Sequence, residues 1–322
     1  MPNWNEVLKE IVNVRNTLTA QAQAATAQAR TSVDIVRRKY LKQLFDHTHR
    51  NIIAYYSGFL SKPGIAQLEI TDEDKNGFMM AVHRLDRNQG LDLILHTPGG
   101  EFAATQSIVN YLHKMFKNDI RAIVPQIAMS AGTMIACSCK TILMTEHSNL
   151  GPIDPQLRGL PAYGVIQEFK RAFKEIKGEP KKIALWNNII GQYKPTFLSQ
   201  CENAIKWSNE FVKEQLQTVM FDGDPGAKTK AKNIVRKLSD YRGNLRHERH
   251  IHLEECTKIG LKVQRIEDDH QLQDLVLTVH HCYMHSLMNT SSFKMIENHN
   301  GVALVKQQAV QQIPIPLHPP QQ

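Results

Sequence analysis

Cysteine is scarce, with five in 322 residues. Cys137 and Cys139 stand one residue apart and no Cys-x-x-Cys pair occurs. A disulfide framework is therefore excluded, and a reducing, cytoplasmic setting is the expectation. The opening stretch MPNWNEVLKEIVNVRN carries acids and polar residues and lacks the apolar centre of a secretory signal. No Gly-x-x-x-x-Gly-Lys-Ser/Thr loop is present, which argues against intrinsic ATP use, and no internal repeat is visible. One long uncharged run exists, Ala122 to Cys139, at 18 residues the minimum for crossing a bilayer. It is interrupted by Pro125, Gln126, Ser130, Gly132, Thr133 and Ser138, so it reads as a buried strand, a turn and a buried helix. No membrane span is expected.

What is present is an ordinary globular composition, 42% hydrophobic and 22% charged. The length suits about two domains, or one large α/β domain with additions. The net charge of +8 is local. Residues 170–182 hold six Lys/Arg and two Glu, and residues 228–249 hold eight Lys/Arg and two acids. Solvated helix faces explain such runs, and no aromatic interleaving points to nucleic acid as a partner.

Periodicity divides the chain. A helical N-terminal extension covers residues 1–48, with the alanine-rich Thr19–Arg30 poorly anchored. An α/β domain follows over 49–290. Strands are expected at Asn51–Tyr56, Leu91–His96, Ile120–Val124, Thr141–Met144 and Leu261–Ile266. Helices are expected at Asp74–Arg87, Glu101–Phe116, Ala131–Cys139, His252–Ile259 and Asp269–Met288. Strands separated by helices of this length imply βαβ units and a mostly parallel sheet. A helical insertion spans about 180–250, with helices near 163–177, 196–220 and 227–239. Asn300-Gly301 marks a β-hairpin over 291–306, and the Gln/Pro-rich 307–322 reads as a disordered tail.

Two loops carry chemistry. His96-Thr97-Pro98-Gly99-Gly100 ends a strand and precedes a helix, where parallel sheets build their sites. A Gly-Gly pair frees backbone N–H groups to face a ligand oxygen, although an ordinary turn has the same sequence needs. Pro125 to Thr133 sets Ser130 among Ala128, Ala131 and Gly132 at a helix start. That is a relative of the nucleophile elbow; a simple N-cap serine is the alternative. Following successive strands, the two loops can share a cleft, with Gly100 N–H and Ala131 N–H as an oxyanion hole.

The segments TPGG, AMSAGTMIA and SNLGPIDPQ (Ser148–Gln156) resemble the serine dehydrogenase proteinase family. That family groups with signal peptide peptidase A and the Clp peptidases in the ClpP/crotonase fold. The resemblance covers roughly residues 50–180 and His252–Ile266. It implies stacked βαβ units and a serine peptidase acting on protein or peptide. Ser130 would be the nucleophile, with Gly99, Gly100 and Ala131 at the oxyanion hole. The Clp-type histidine is absent, and relatives with a Ser-Lys pair point to Lys170 as base. Lys174, His96 and His147 are the alternatives, and Asp154 would orient a base. A homo-oligomer without cofactor or metal is implied.

Two rivals share the fold: a crotonase-like acyl-CoA enzyme using only the oxyanion hole, and a catalytically silent partner-binding protein. His247, His250, His252, His280, His281 and His285 read as surface histidines rather than metal ligands. Cys137 and Cys139 read as inert buried thiols.

Overall fold

The computed structural model describes residues 4–21, 32–240 and 249–308. Most of Thr19–Arg30, His247 and nearly all of the 307–322 tail therefore lie outside the described residues. The strands, in chain order, include β1 (Asn51–Ser57), β2 (Leu91–His96), β3 (Ile120–Val124), β4 (Ile127–Ala128) and β5 (Thr141–Met144). They continue as β6 (Asn149–Leu150), β7 (Gln156–Leu157), β8 (Leu160–Pro161), β9 (Ile251–His252), β10 (Val263–Arg265), β11 (Ser292–Asn298) and β12 (Ala303–Gln307).

Seven of these form one sheet in the order β10-β5-β3-β2-β1-β11-β12. The first five are parallel, β11 adds antiparallel beside β1, and β12 adds antiparallel beside β11. The predicted C-terminal hairpin is thus no appendage, since it extends the main sheet. Both faces of the sheet are covered, which is why its strands read as continuous apolar runs. In β2, Leu91, Leu93 and Leu95 enter one core while Ile94 enters the other. The single acid of that strand, Asp92, is buried but held by Arg50 (2.8 Å) and Arg121 (2.6 Å).

The first face is covered by α3 (Asp74–Val82), α4 (Phe102–Phe116) and α5 (Ala131–Cys137). The α4 stripe of Ile108, Leu112 and Phe116 is fully buried there. Each such side chain contributes about 1.5–3 kcal/mol. The other face is covered by α1 (Trp4–Gln21), α2 (Ser32–Thr48) and the long C-terminal helix. α1 is better anchored than its sequence suggested: Val7 is fully buried, and the Trp4 ring lies 3.8 Å from that of His285. The uncharged run Ala122–Cys139 becomes β3, β4 and α5, and no helix among the described residues is long and apolar enough to cross a membrane.

After β8 come α6 (Ala162–Gly178), α7 (Ile183–Ile190), α8 (Phe197–Gln215), α9 (Ala227–Leu238), α10 (Leu253–Ile259) and α11 (His270–Asn289). The expected helical insertion divides physically. Phe211, Val212, Leu216, Ile234 and Leu238 join the main core, whereas α6 and the start of α8 share a small cluster of Ala162, Val165, Phe197 and Cys201. The Asp74–Arg87 helix stops early, because His83 turns extended and Arg84 takes φ 63°. Gly260, at φ 107°, ends α10 as expected of a C-terminal glycine. Asp269 caps α11 by accepting from Leu272 N–H at 2.9 Å.

Candidate functional site

The first loop leaves β2 at His96 and the second leaves β3, the neighbouring strand. They zip together. Thr97 N–H donates to Ile127 C=O (3.1 Å), and Met129 N–H donates to Thr97 C=O (3.0 Å). This pairing carries Gly99 to the side of Ser130: a Cβ built on Gly99 would lie 2.7 Å from Ser130 Cβ. Gly99 also has φ 102°, so both space and backbone require glycine. On its other flank, Gly100 abuts Ile70, and a Cβ there would meet Ile70 N at 2.2 Å.

Ser130 has φ 50° and ψ −112°, and Gly132 N–H donates to Met129 C=O at 2.7 Å. That is the second position of a tight turn normally kept for glycine, so a serine there stores about 1–3 kcal/mol of strain. Its hydroxyl makes no capping hydrogen bond, so the N-cap alternative fails. Ser130 is half-buried and lines a cleft of about 780 Å³. Ser130 thus stands strained and uncapped at a helix start on the wall of an open cleft.

The donors can be counted. Gly99 N–H is used internally by Thr97 Oγ1 (3.2 Å). Ala131 N–H opens α5 and has no acceptor within that helix. Gly100 lies between Ile70 contacts that engage only the Gly99 carbonyl and the Glu101 N–H. Gly100 and Ala131 both line the cleft, and the Ile70 bonds leave the Gly100 N–H unused.

The Leu150–Gln156 segment braces this turn. Thr133 Oγ1 donates to Ala128 C=O (2.9 Å) and accepts from Gly151 N–H (2.9 Å). Ser208 of α8 donates to Ile153 C=O (3.0 Å), and Ile153 N–H donates to the last carbonyl of α9, Leu238 (3.1 Å). Asp154 is buried and accepts from Gln156 Nε2 (3.1 Å). Gln156 lines the cleft, while Asp154 does not.

The candidate bases are not brought to the serine. Lys170 and Lys174 are exposed on α6 and lie outside the cleft lining. Phe173, on the same helix, is 73% exposed and gives Lys170 no apolar enclosure. His147 is exposed on the β5–β6 connection. His96 is fully buried among Tyr56, Phe59 and His280, and burial pushes its imidazole down to about 3. The ionisable side chains that do line the cleft are Glu69 and Glu101, on the residues flanking Ile70 and Gly100. Sequence reasoning missed both, because neither belongs to a motif. Phe102 and Trp207, 4.4 Å apart edge to face, form an apolar wall.

Of the histidines read as surface residues, His250 and His252 are exposed, His281 is partly buried, and two differ. His280 and His285 are buried, with Tyr56 Oη 3.2 Å from His280 Nδ1. Among the described residues no three ligand side chains converge on a metal position. Cys137 and Cys139 are buried, and desolvation pushes both thiols up.

The chain is similar to known proteins. Two proteins of Methanocaldococcus jannaschii are similar over 194 residues: "Uncharacterized protein MJ0137" at 31% identity and "Uncharacterized protein MJ1495" at 29%. The match covers 60% of this chain and 60% and 59% of those relatives, so the chain spans about three-fifths of their length. A family model described as "ClpP-like SDH-type serine proteinase" matches residues 21–299, taking in the sheet except β12, both loops and the helices that brace them, and the chain belongs to that family.

Proposed function

We propose that the protein is a serine peptidase-type hydrolase that cleaves peptide bonds through an acyl-enzyme on Ser130. Ser130 Oγ attacks the carbonyl carbon, and the developing oxyanion takes hydrogen bonds from Gly100 and Ala131 N–H, helped by the α5 dipole. The amine leaves with a proton, and water hydrolyses the ester. The observation that carries this reading is Ser130 at φ 50°, strained and uncapped, beside the glycine loop.

The proton acceptor in this reading is Lys170, with Lys174 second. Lys170 is exposed, so the role requires α6 to swing toward the cleft. The apolar contacts of α6 run to the small cluster with α8 rather than to the main core, so such a movement would leave the main core intact. A lysine base must also lose its proton, which entry into a partly apolar cleft promotes.

The cleft chemistry favours peptide over acyl-CoA. Coenzyme A is strongly anionic, and a cleft carrying Glu69 and Glu101, with no Lys, Arg or His lining it among the described residues, would repel it. A homo-oligomer in the cytoplasm, acting on protein or peptide without a cofactor, completes the reading. The test is hydrolysis of unfolded protein substrates and labelling by a fluorophosphonate probe. Wild type should do both and Ser130→Ala neither; equal turnover by the two would end the proposal.

A further inference from the structure

Lys294 on β11 and Asp74 at the start of α3 form an ion pair in which both side chains are 0% exposed. Lys294 Nζ donates to Asp74 Oδ2 (2.9 Å) and Oδ1 (3.1 Å), and also to the Glu69 main-chain carbonyl (2.6 Å). Asp74 Oδ2 in turn accepts from Thr71 N–H (3.0 Å) and from the Tyr55 hydroxyl (2.9 Å). Lys306 of β12 stands 3.7 Å from Asp74 Oδ1. The pair thus grips the backbone on each side of one residue, Ile70.

Ile70 is the residue that aligns the glycine loop. Its N–H donates to Gly99 C=O (2.8 Å), and its C=O accepts from Glu101 N–H (2.9 Å). Gly100 lies between these two bonds and keeps its own N–H for the cleft. A buried ion pair loses most of its attraction to desolvation, and apolar side chains of similar volume commonly stabilise a core as well or better. Its presence here therefore calls for a directional reason. Apolar packing cannot hold a carbonyl and an amide two residues apart at fixed positions, whereas an ammonium and a carboxylate can.

We propose that Lys294 and Asp74 are positioning residues for the oxyanion loop, locking Glu69–Thr71 so that Gly100 N–H is held beside Ser130. This rests on the reading of Ser130 as nucleophile and adds that the C-terminal hairpin is part of the site. Neither residue touches substrate. Displacing one oxyanion donor costs about 100- to 1000-fold in rate.

The experiment compares two reactions at residue 130. Fluorophosphonate labelling, in which the serine oxygen displaces fluoride from phosphorus, depends on the oxyanion hole. Alkylation of a Ser130→Cys variant by iodoacetamide does not. In the Lys294→Met/Asp74→Asn double variant, phosphonylation should fall about 100- to 1000-fold, while alkylation in the Ser130→Cys background stays within about threefold. Wild-type phosphonylation would overturn the proposal, and so would an equal fall in both reactions, which signals general loosening. Should the double variant not fold, Lys294→Arg decides. Arginine keeps the charge but replaces one compact donor by a planar fork. Slower phosphonylation with unchanged alkylation supports the proposal, and wild-type phosphonylation overturns it. Absence of labelling in the wild type would instead refute the nucleophile reading itself.

Discussion

Gly99 and Ser130 sit back to back: a methyl group on the glycine would come within 2.7 Å of the serine Cβ. Thirty-one positions separate them in the chain, and adjacent parallel strands bring them together. Gly99→Ala should therefore displace the Ser130 turn and force a side chain into a positive-φ position. Fluorophosphonate labelling should drop at least tenfold, and stability should fall by about 1–3 kcal/mol. Denaturant melts and labelling rates on the same samples check both.

The strain at Ser130 makes an opposite prediction for stability. Ser130→Gly should abolish hydrolysis while raising stability by about 1 kcal/mol, because glycine accepts φ 50° and ψ −112° without penalty. Ser130→Ala should abolish hydrolysis without that gain. Equal denaturant midpoints for the two variants would show that the turn is unstrained.

His96 predicts an acid-sensitive fold. Burial lowers its folded value to about 3, against 6.5 for the free side chain. The unfolded chain therefore takes up a proton that the folded one refuses, and stability is lost as pH falls from about 6.5 toward 3. At pH 5 the loss from this one group is about 2 kcal/mol. His96→Phe should recover about that much at pH 5 relative to its effect at pH 7. Urea unfolding at the two pH values measures the difference.

Lys170 and Lys174 can be separated by substitution. With Lys170 as base, Lys170→Met should lower kcat about 100-fold or more while Lys174→Met stays near wild type. Because Lys170 is exposed, stability should change by no more than about 0.5 kcal/mol in either variant. Full activity in Lys170→Met would remove that residue from the mechanism.

The two glutamates of the cleft should favour cationic substrates. Peptides with Lys or Arg beside the scissile bond should be cleaved faster than those with Asp or Glu, and the preference should shrink in high salt. Glu69→Gln/Glu101→Gln should narrow the ratio. An unchanged ratio would assign specificity to the apolar wall of Phe102 and Trp207.

The sequence by itself determined the alternation of strands and helices, the parallel sheet and the two loops, because apolar period, Gly-Gly and a serine among small residues are local signals. Ala131–Gly132 could be read as a helix start and Gly260 as a helix stop without any distant contact. Tertiary structure alone decided that the hairpin strand β11 joins β1, since strand pairing over such a separation leaves no local mark. It also decided that Lys294 meets Asp74, that α8 and α9 belong to the main core, and that Lys170 faces solvent. A lysine in a helical pattern looks the same whether its face is covered or bare. The bond between chemistry and position is made only when the chain packs.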